Sequence, residues 1–186
     1  FRNYLEVNKS NKFRNTENYM IYAGRISEEK GVEKLIKAFL KCDFKDIKFK
    51  IVGQGPDKAK LKKQYEDNSI EFLDQMSNSD VLNLIKNAIS TVTSTSLFEG
   101  QPTLLCEASS LGVPSIFPNS GGIKEFFPDD YDLSFNYDSD DDLILNLSKV
   151  RNLSKMSKQG IENHQFISEL LNKDQMFDEF EKIILK

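Results

Sequence analysis

The chain has 186 residues, a formal net charge of −4 and a hydrophobic fraction of 39%, with 14 Phe and no Trp. These values are typical of a globular protein with one sizeable core. Acidic and basic residues alternate, which argues against a nucleic-acid-binding protein, because such a protein presents a basic stripe. No apolar run approaches the ~18 residues of a membrane span. Cys42 and Cys106 lack metal or redox spacing, which indicates free thiols in a reducing compartment.

Short apolar runs alternate with helical patterns along the chain. The runs that predict strands are YMIYA (19–23), KFKIV (48–52), IEFL (70–73), STVTS (90–94), PSIF (114–117) and DLSF (132–135). The segments that predict helices are 27–41, 57–67 with Pro56 at its start, 77–88, a helix from about 102 or 103, and the chain from 140 onward with breaks near 152–156 and 172. The helix at 57–67 is rich in lysine, so we expect it on the surface.

This alternation predicts an α/β fold, a doubly wound six-stranded parallel sheet (Rossmann-like) with strand order 3-2-1-4-5-6. Ligands of such sheets bind beyond the carboxyl ends of the strands. The turns that follow the strands are therefore the places to search for a site, and most of the unusual residues of this chain lie in them.

The turn after the first strand, AGRISEEKG, carries Arg25 and Lys30 at the entrance to a helix. Free N–H groups and the helix dipole favour anions there, so two cations are unfavourable for the helix itself. The functional interpretation is a phosphate clamp. The alternative is a pair of solvated surface cations.

The second turn, IVGQGP, resembles half of a dinucleotide fingerprint, but Lys58 stands where its third glycine is expected. A tight turn with close backbone approach and a ligand-binding loop explain Gly53 and Gly55 equally well.

The stretch EGQPTLLCE contains Glu99 in a Gly/Pro turn and Glu107 eight positions later in a helix. Leu104, Leu105 and Ala108 form the apolar stripe of that helix, so we expect Glu107 to face the crevice. Carboxylates near a helix start serve as dipole partners or accept hydrogen bonds from vicinal hydroxyls. Opposite a cationic turn, they indicate a ligand with a charged middle and hydroxylated ends, which describes a sugar nucleotide.

The same stretch resembles the E-x7-E motif of family 4 glycosyltransferases, which are retaining enzymes with the GT-B fold. The segments YAGRISEEKGVEKLIKAF, IVGQGP, SSLGVPSI and NSGGIKEFF resemble further blocks of that family in the same order. The resemblance covers roughly 18–150 and then the C-terminal helices. It is restricted to the donor-binding, C-terminal domain of such an enzyme, whose acceptor-binding domain would precede Phe1.

The resemblance implies roles for individual residues. Arg25 and Lys30 would hold the diphosphate, Glu99 the hydroxyls of the donor sugar and Glu107 the ribose. The remaining positions that it implies for substrate binding are Gly24, Gly53, Gly55, Asp74, Gly100, Gln101, Pro102 and Thr103. The family usually has glycine where Asp74 stands, so Asp74 either alters the nucleotide preference or points to solvent.

The resemblance also implies domains and partners. We expect 1–17 to lead in from the acceptor domain, 18–150 to bind the nucleotide sugar, and 151–186 to pack on this domain and toward the missing half, with Met176 and Phe177 in the last helix. The expected activity is metal-independent and cofactor-free transfer of a hexose from a UDP- or GDP-linked sugar to a glycan or glycolipid, in surface polysaccharide synthesis. The enzyme would be cytoplasmic, with peripheral association at the inner face of the plasma membrane, and the fragment alone would be inactive.

Two other functions fit the residues of this chain less well. A receiver-like signalling module would need acids after the first strand, where this chain has Arg25. A nucleotide-sugar epimerase of similar fold would need a histidine near the diphosphate, and the only histidine, His164, lies far along the chain. The DSD run at 138–140 imitates a metal-binding D-x-D motif, but it precedes a helix, where acidic residues serve as ordinary caps.

Overall fold

The computed structural model describes residues 17–96 and 100–172. Its strands are β1 Tyr19–Ala23, β2 Lys48–Val52, β3 Ile70–Leu73, β4 Ser90–Val92, β5 Ser115–Pro118 and β6 Ser134–Phe135. Its α-helices are α1 Val32–Lys41, α2 Lys58–Tyr65, α3 Asn78–Asn87, α4 Thr103–Ser110, α5 Asp140–Ser148 and α6 Leu153–Leu170. Single 3₁₀ turns occupy Glu28–Lys30, Ile123–Phe126 and Lys149–Arg151.

All six strands are parallel and follow the order β3-β2-β1-β4-β5-β6, which confirms the predicted sheet. The central strand β1 pairs with β2 on one side, where Tyr22 lies opposite Ile51, and with β4 on the other, where Ile21 lies opposite Thr91. Strands covered on both faces read as continuous apolar runs, which explains why YMIYA shows no alternation of polar and apolar residues.

Helices cover both faces of the sheet. On one face, Met20 and Tyr22 of β1 belong to a core cluster that includes the buried side of α1 and Leu61 of α2. On the other face, Tyr19 and Ile21 share a second cluster with α3. Helix α4 packs beside α3 and α6, and its residues enter both clusters. The chain therefore changes face between β1 and β4, which opens a crevice at the carboxyl end of the sheet.

Several element boundaries differ from the sequence prediction. Strand β4 ends at Val92, two residues early. Strand β6 keeps only Ser134 and Phe135 at the sheet edge, because Asp132 and Leu133, the start of the predicted run, lie in a turn. Helix α2 runs from Lys58 to Tyr65 with Asp57 at its N-cap, so Pro56 precedes the helix instead of occupying its first position. The predicted last helix with Met176 and Phe177 and the lead-in up to residue 16 lie outside the described residues.

Candidate functional site

The turn between β1 and α1 brings Arg25 and Lys30 together. The Tyr22 hydroxyl donates to the Arg25 carbonyl at 2.6 Å, so the backbone of Arg25 is fixed while its side chain remains exposed. Lys30 ends the 3₁₀ turn, which closes at Gly31 in the left-handed conformation (φ 64°). The pKa of the Glu29 carboxyl is lowered by the neighbouring Ser27 side chain, by its own backbone, and by the charges of Arg25 and Lys30. Both cations therefore act on the same turn.

The glycines of IVGQGP allow the turn after β2 to pack closely against the turn after β1. A Cβ on Gly53, whose φ is 142°, would lie 1.9 Å from the Gly24 carbonyl oxygen. A Cβ on Gly55 would lie 2.0 Å from the Ile26 carbonyl oxygen. Side chains cannot be placed at such distances, so both glycines allow the close backbone approach that the sequence left as one of two explanations. That Gly24, Gly53 and Gly55 also contact a ligand stays a prediction.

A buried lysine holds Asp74 at the end of β3. Lys58 is 9% exposed, and its Nζ donates to the Leu73 carbonyl at 2.9 Å and to Asp74 Oδ1 at 2.7 Å. Gln54 Nε2 donates to the same Oδ1 at 3.2 Å. The hydrogen bond and charge of Lys58 lower the pKa of the Asp74 carboxyl, so this side chain is ionised at neutral pH. Asp74 is thus exposed to solvent and at the same time anchored, and its effect on the nucleotide preference stays a prediction.

Helix α2 exposes Lys60, Lys62 and Lys63, as expected of a lysine-rich surface helix, but Lys58 at its first position is buried. Lys58 occupies the position of the missing third glycine, directly behind the β3 carboxyl end, where two acceptor groups compensate for removing its ammonium from water. The departure from the glycine pattern was the signal in the sequence that could have pointed to this role.

Glu107 lies half-buried on α4, next to the first turn of α3. Its Oε1 accepts a hydrogen bond from Asn78 Nδ2 at 3.3 Å. Leu105 and Ala108 on the same helix are buried, as the apolar stripe predicts. Asn78, the first residue of α3, was not identified from the sequence, because its contact with Glu107 joins residues 29 positions apart and belongs to no motif.

The loop after β4 contacts the loop after β1 across the crevice. Ser96 donates to the Glu29 carbonyl from its backbone N–H at 3.0 Å and from its hydroxyl at 3.1 Å. Gly31 packs so closely on Ser94 that a Cβ would lie 2.2 Å from the Ser94 carbonyl oxygen. The cationic turn and the segment that leads to α4 are therefore in direct contact.

The rest of the predicted sugar-binding segment lies at the start of α4. Gly100 is exposed, and a Cβ there would meet no atom within 4 Å. Pro102 is buried at the N-cap of α4, Thr103 is exposed and Gln101 is half-buried. Glu99, predicted to contact the donor sugar, lies outside the described residues.

Three features noted in the sequence, Cys106, His164 and the DSD run, have structural explanations. Burial, with a smaller contribution from Glu107, raises the pKa of the Cys106 thiol to about 12, which makes it unreactive at neutral pH. The Nδ1 atom of His164 lies 2.9 Å from the Ser110 carbonyl and ties α6 to the end of α4. Ser139 caps α5 by accepting from Asp142 N–H, which agrees with the capping interpretation of the DSD run.

Neither a metal site nor a membrane-spanning helix emerges from the described ranges. Among residues 17–96 and 100–172, no group of three or more His, Cys, Asp or Glu side chains is placed to hold a metal ion. Within the same residues, no helix combines the length and apolar character needed to cross a bilayer.

A separate cleft of about 480 Å³ lies between α1, α2 and α5. It shares Ser27, Glu28 and Gly31 with the β1–α1 turn, but neither Asp74 nor Glu107 lines it. Lysines on its walls pair with neighbouring acids, since Lys37 Nζ lies 2.9 Å from Glu33 and Lys34 Nζ lies 3.5 Å from Asp140. The crevice at the carboxyl end of the sheet, with its clustered cations and carboxylates, is the better candidate site.

Curated relatives of the chain are glycosyltransferases. It is 28% identical over 175 residues to an uncharacterised glycosyltransferase, MJ1069, of Methanocaldococcus jannaschii, covering 88% of this chain and 44% of that protein. It is also 28% identical over 123 residues to the amylovoran biosynthesis glycosyltransferase AmsD of Erwinia amylovora, covering 63% and 34%. The chain thus spans less than half the length of either relative.

Solved structures share the fold. TarM of S. aureus superposes with a TM-score of 0.83 at 17% identity, over 97% of this chain and 37% of that chain. Anabaena Alr3699/HepE, solved with UDP and glucose, superposes with a TM-score of 0.76 at 15% identity, over 91% and 48%. These similarities identify the sheet and its helices as a GT-B glycosyltransferase domain fold.

The family assignment rests on the match to a family model over most of the chain. The model described as "Glycosyl transferases group 1" matches residues 4–165. The chain therefore belongs to the glycosyl transferases group 1 family.

Proposed function

We propose that the chain is the donor-binding domain of a retaining, metal-independent glycosyltransferase that transfers a hexose from a nucleoside-diphosphate sugar. The observation that carries this proposal is the contact between the loops after β1 and β4, in which Ser96 donates to the Glu29 carbonyl. It sets the cationic turn of Arg25 and Lys30 beside the segment that leads to α4 and Glu107. The complex of HepE with UDP and glucose supports a donor of this class.

Each element of the crevice matches one part of such a donor. Arg25 and Lys30 would neutralise the diphosphate, with Gly24 leaving room for the ligand beside the backbone. Glu107, fixed by Asn78, would accept hydrogen bonds from the ribose hydroxyls. Backbone groups of the 100–103 segment and Glu99 would contact the sugar and its phosphate.

The proposed chemistry depends on charge at the leaving group. The diphosphate gains negative charge as the glycosidic bond breaks, so cations placed on it stabilise the transition state more than the bound donor. In the longer enzyme, Arg25→Ala or Lys30→Ala should lower turnover by roughly 10²–10³-fold, by analogy with removal of one oxyanion donor. We expect EDTA to leave transfer intact, and a strict requirement for Mn²⁺ or Mg²⁺ would contradict the assignment.

The acceptor and the biological setting belong to the same proposal. The acceptor, a glycan or glycolipid, would bind to a further domain, and this chain alone would bind the donor without transferring its sugar. The name of AmsD supports a role in polysaccharide synthesis. In this proposal the enzyme would act in the cytoplasm and associate peripherally with the inner face of the plasma membrane.

Calorimetry on the 186-residue chain tests the donor site. Glu107→Ala should weaken binding of free nucleoside diphosphates and of their hexose conjugates alike, by about 1.5–3 kcal/mol, as for hydrogen bonds to a charged group. Asn78→Ala should cost less, about 0.5–1.5 kcal/mol, because the carboxylate is retained but loses its neutral anchor.

The matched control is Glu169→Ala, which removes an exposed carboxylate near the end of α6 and should leave binding unchanged. Absence of nucleotide binding at millimolar concentration, or equal effects of Glu107→Ala and Glu169→Ala, would refute the proposed site.

A further inference from the structure

The Lys58–Asp74 pair is built differently from the surface ion pairs of this chain. The Lys58 side chain is 11% exposed and that of Asp74 is 89% exposed. A buried ammonium requires partners, and Lys58 has two, the Leu73 carbonyl and Asp74 Oδ1. The buried Lys58 ammonium therefore anchors the Asp74 carboxylate, which is exposed to solvent.

The Asp74 carboxylate has one oxygen, Oδ2, that is available to a ligand. Lys58 and Gln54 both donate to Oδ1, and no described residue hydrogen-bonds Oδ2. An ionised carboxylate accepts hydrogen bonds and cannot donate them. Oδ2 therefore offers a ligand a rigid acceptor at the carboxyl end of β3.

The position of Asp74 relates it to the ribose subsite. Asn78, the first residue of α3, lies four residues after Asp74 and donates to Glu107, the residue proposed to bind the ribose. The β3–α3 loop therefore leads directly to that subsite, and a base attached to a ribose at Glu107 would extend along this loop. This step rests on the proposed function.

We propose that Asp74 selects the nucleobase of the donor, and that the base it selects is guanine. Guanine presents two adjacent donors, N1–H and the N2 amino group, to an acceptor that cannot donate. Uracil presents one N–H between two carbonyl oxygens, which a carboxylate repels. Adenine and cytosine place a ring nitrogen acceptor beside their amino group. Lys58 is the positioning residue of this arrangement.

Calorimetry with GDP, IDP, UDP and ADP on the 186-residue chain tests the proposal. IDP differs from GDP only by lacking the N2 amino group, so it isolates the second donor. We expect GDP to bind about tenfold or more tightly than UDP or ADP, with IDP between them, as for hydrogen bonds to a charged acceptor. Asp74→Asn should lower the affinity for GDP by roughly tenfold or more. The affinity for UDP should change by less than about twofold.

Two further variants test whether Lys58 positions Asp74, independently of its contribution to folding. Lys58→Met should reduce the GDP-to-UDP affinity ratio although it leaves Asp74 in place. Since Lys58 is buried and its loss could unfold the chain, Gln54→Ala, at an exposed position, provides the second measurement and should reduce the same ratio by a few-fold.

The outcomes distinguish this inference from the donor site itself. A wild-type preference for UDP, or a GDP-to-UDP ratio unchanged by Asp74→Asn, overturns the assignment of Asp74 while the donor site stands, provided that Glu107→Ala still weakens every nucleotide. Failure of all four nucleotides to bind overturns both.

Discussion

The two walls of the crevice are held in different ways. The first wall, the turns after β1 and β2, is interlocked by backbone contacts at the crevice itself, where Gly53 and Gly55 meet the carbonyls of Gly24 and Ile26. The second wall, the segment 100–103 and α4, has open space around Gly100 and is anchored at the far end of α4, where Gly160 of α6 meets the Gly112 carbonyl.

The difference separates residues that build the site from residues that use it. A glycine in the first wall is required by packing before any ligand arrives. Gly100 in the second wall has no such requirement, so a need for glycine there would come from the ligand. Substitutions of glycine can therefore tell the two walls apart.

The largest effect is expected at Gly53. Gly53→Ala places a Cβ 1.9 Å from the Gly24 carbonyl and imposes a φ of 142° that side chains rarely adopt, so the turns must separate. We expect a loss of about 3 kcal/mol in the free energy of unfolding, measured from urea denaturation.

Gly100→Ala is the control from the opposite wall. Its Cβ would meet no atom within 4 Å, so the free energy of unfolding should change by less than about 0.5 kcal/mol. Equal losses for Gly53→Ala and Gly100→Ala would show that the walls do not differ as described.

A smaller loss of stability is expected at Gly160 of α6, which packs against the end of α4. Gly160→Ala places a Cβ 2.1 Å from the Gly112 carbonyl, but the helical backbone of Gly160 is unstrained, so α6 can relieve the clash by shifting. We expect a loss of about 2 kcal/mol in the free energy of unfolding and weaker nucleotide binding, because α4 carries Glu107.

The control for Gly160 is its neighbour Ile161, which is 53% exposed on the same helix. Ile161→Ala should leave both stability and nucleotide binding nearly unchanged. If Gly160→Ala lowered stability without affecting nucleotide binding, α6 would not be positioning α4 for the ligand.

The strand order and the loops that form the crevice were predictable from the sequence, because apolar runs, turns and the right-handed crossover rule determine them together. The burial of Leu105 and Ala108 followed from the apolar stripe of α4 in the same way, whereas the role of Glu107 stays a prediction. The burial of Lys58 was not predicted, because its acceptors lie at the end of β3 and reach it only through tertiary packing. The function of Gly53 was undecided because the Gly24 carbonyl reaches it through tertiary packing.

The smallest effect concerns side chains that join α1 to α2, the two helices that follow the turns of the first wall. Glu33 Oε1 accepts from Tyr65 at 3.0 Å and lies 2.9 Å from Lys37 Nζ. The hydrogen bond from Lys37, followed by that from Tyr65, lowers the pKa of the Glu33 carboxyl. If backbone packing fixes this wall, Glu33→Gln should cost only about 0.5 kcal/mol at pH 7, as for exposed pairs.

The pH dependence of this contribution has a definite sign. Because the folded-state pKa of Glu33 is depressed, its stabilisation is complete above the unfolded-state pKa and is lost as the pH falls through the folded-state value. The stability difference between Glu33→Gln and the unmodified chain should therefore shrink from pH 7 to pH 3 in urea denaturation. Glu169→Gln, an exposed glutamate of α6, should show no such trend. A Glu33 effect of several kcal/mol would mean that side chains, and not the glycine contacts, hold the first wall in place.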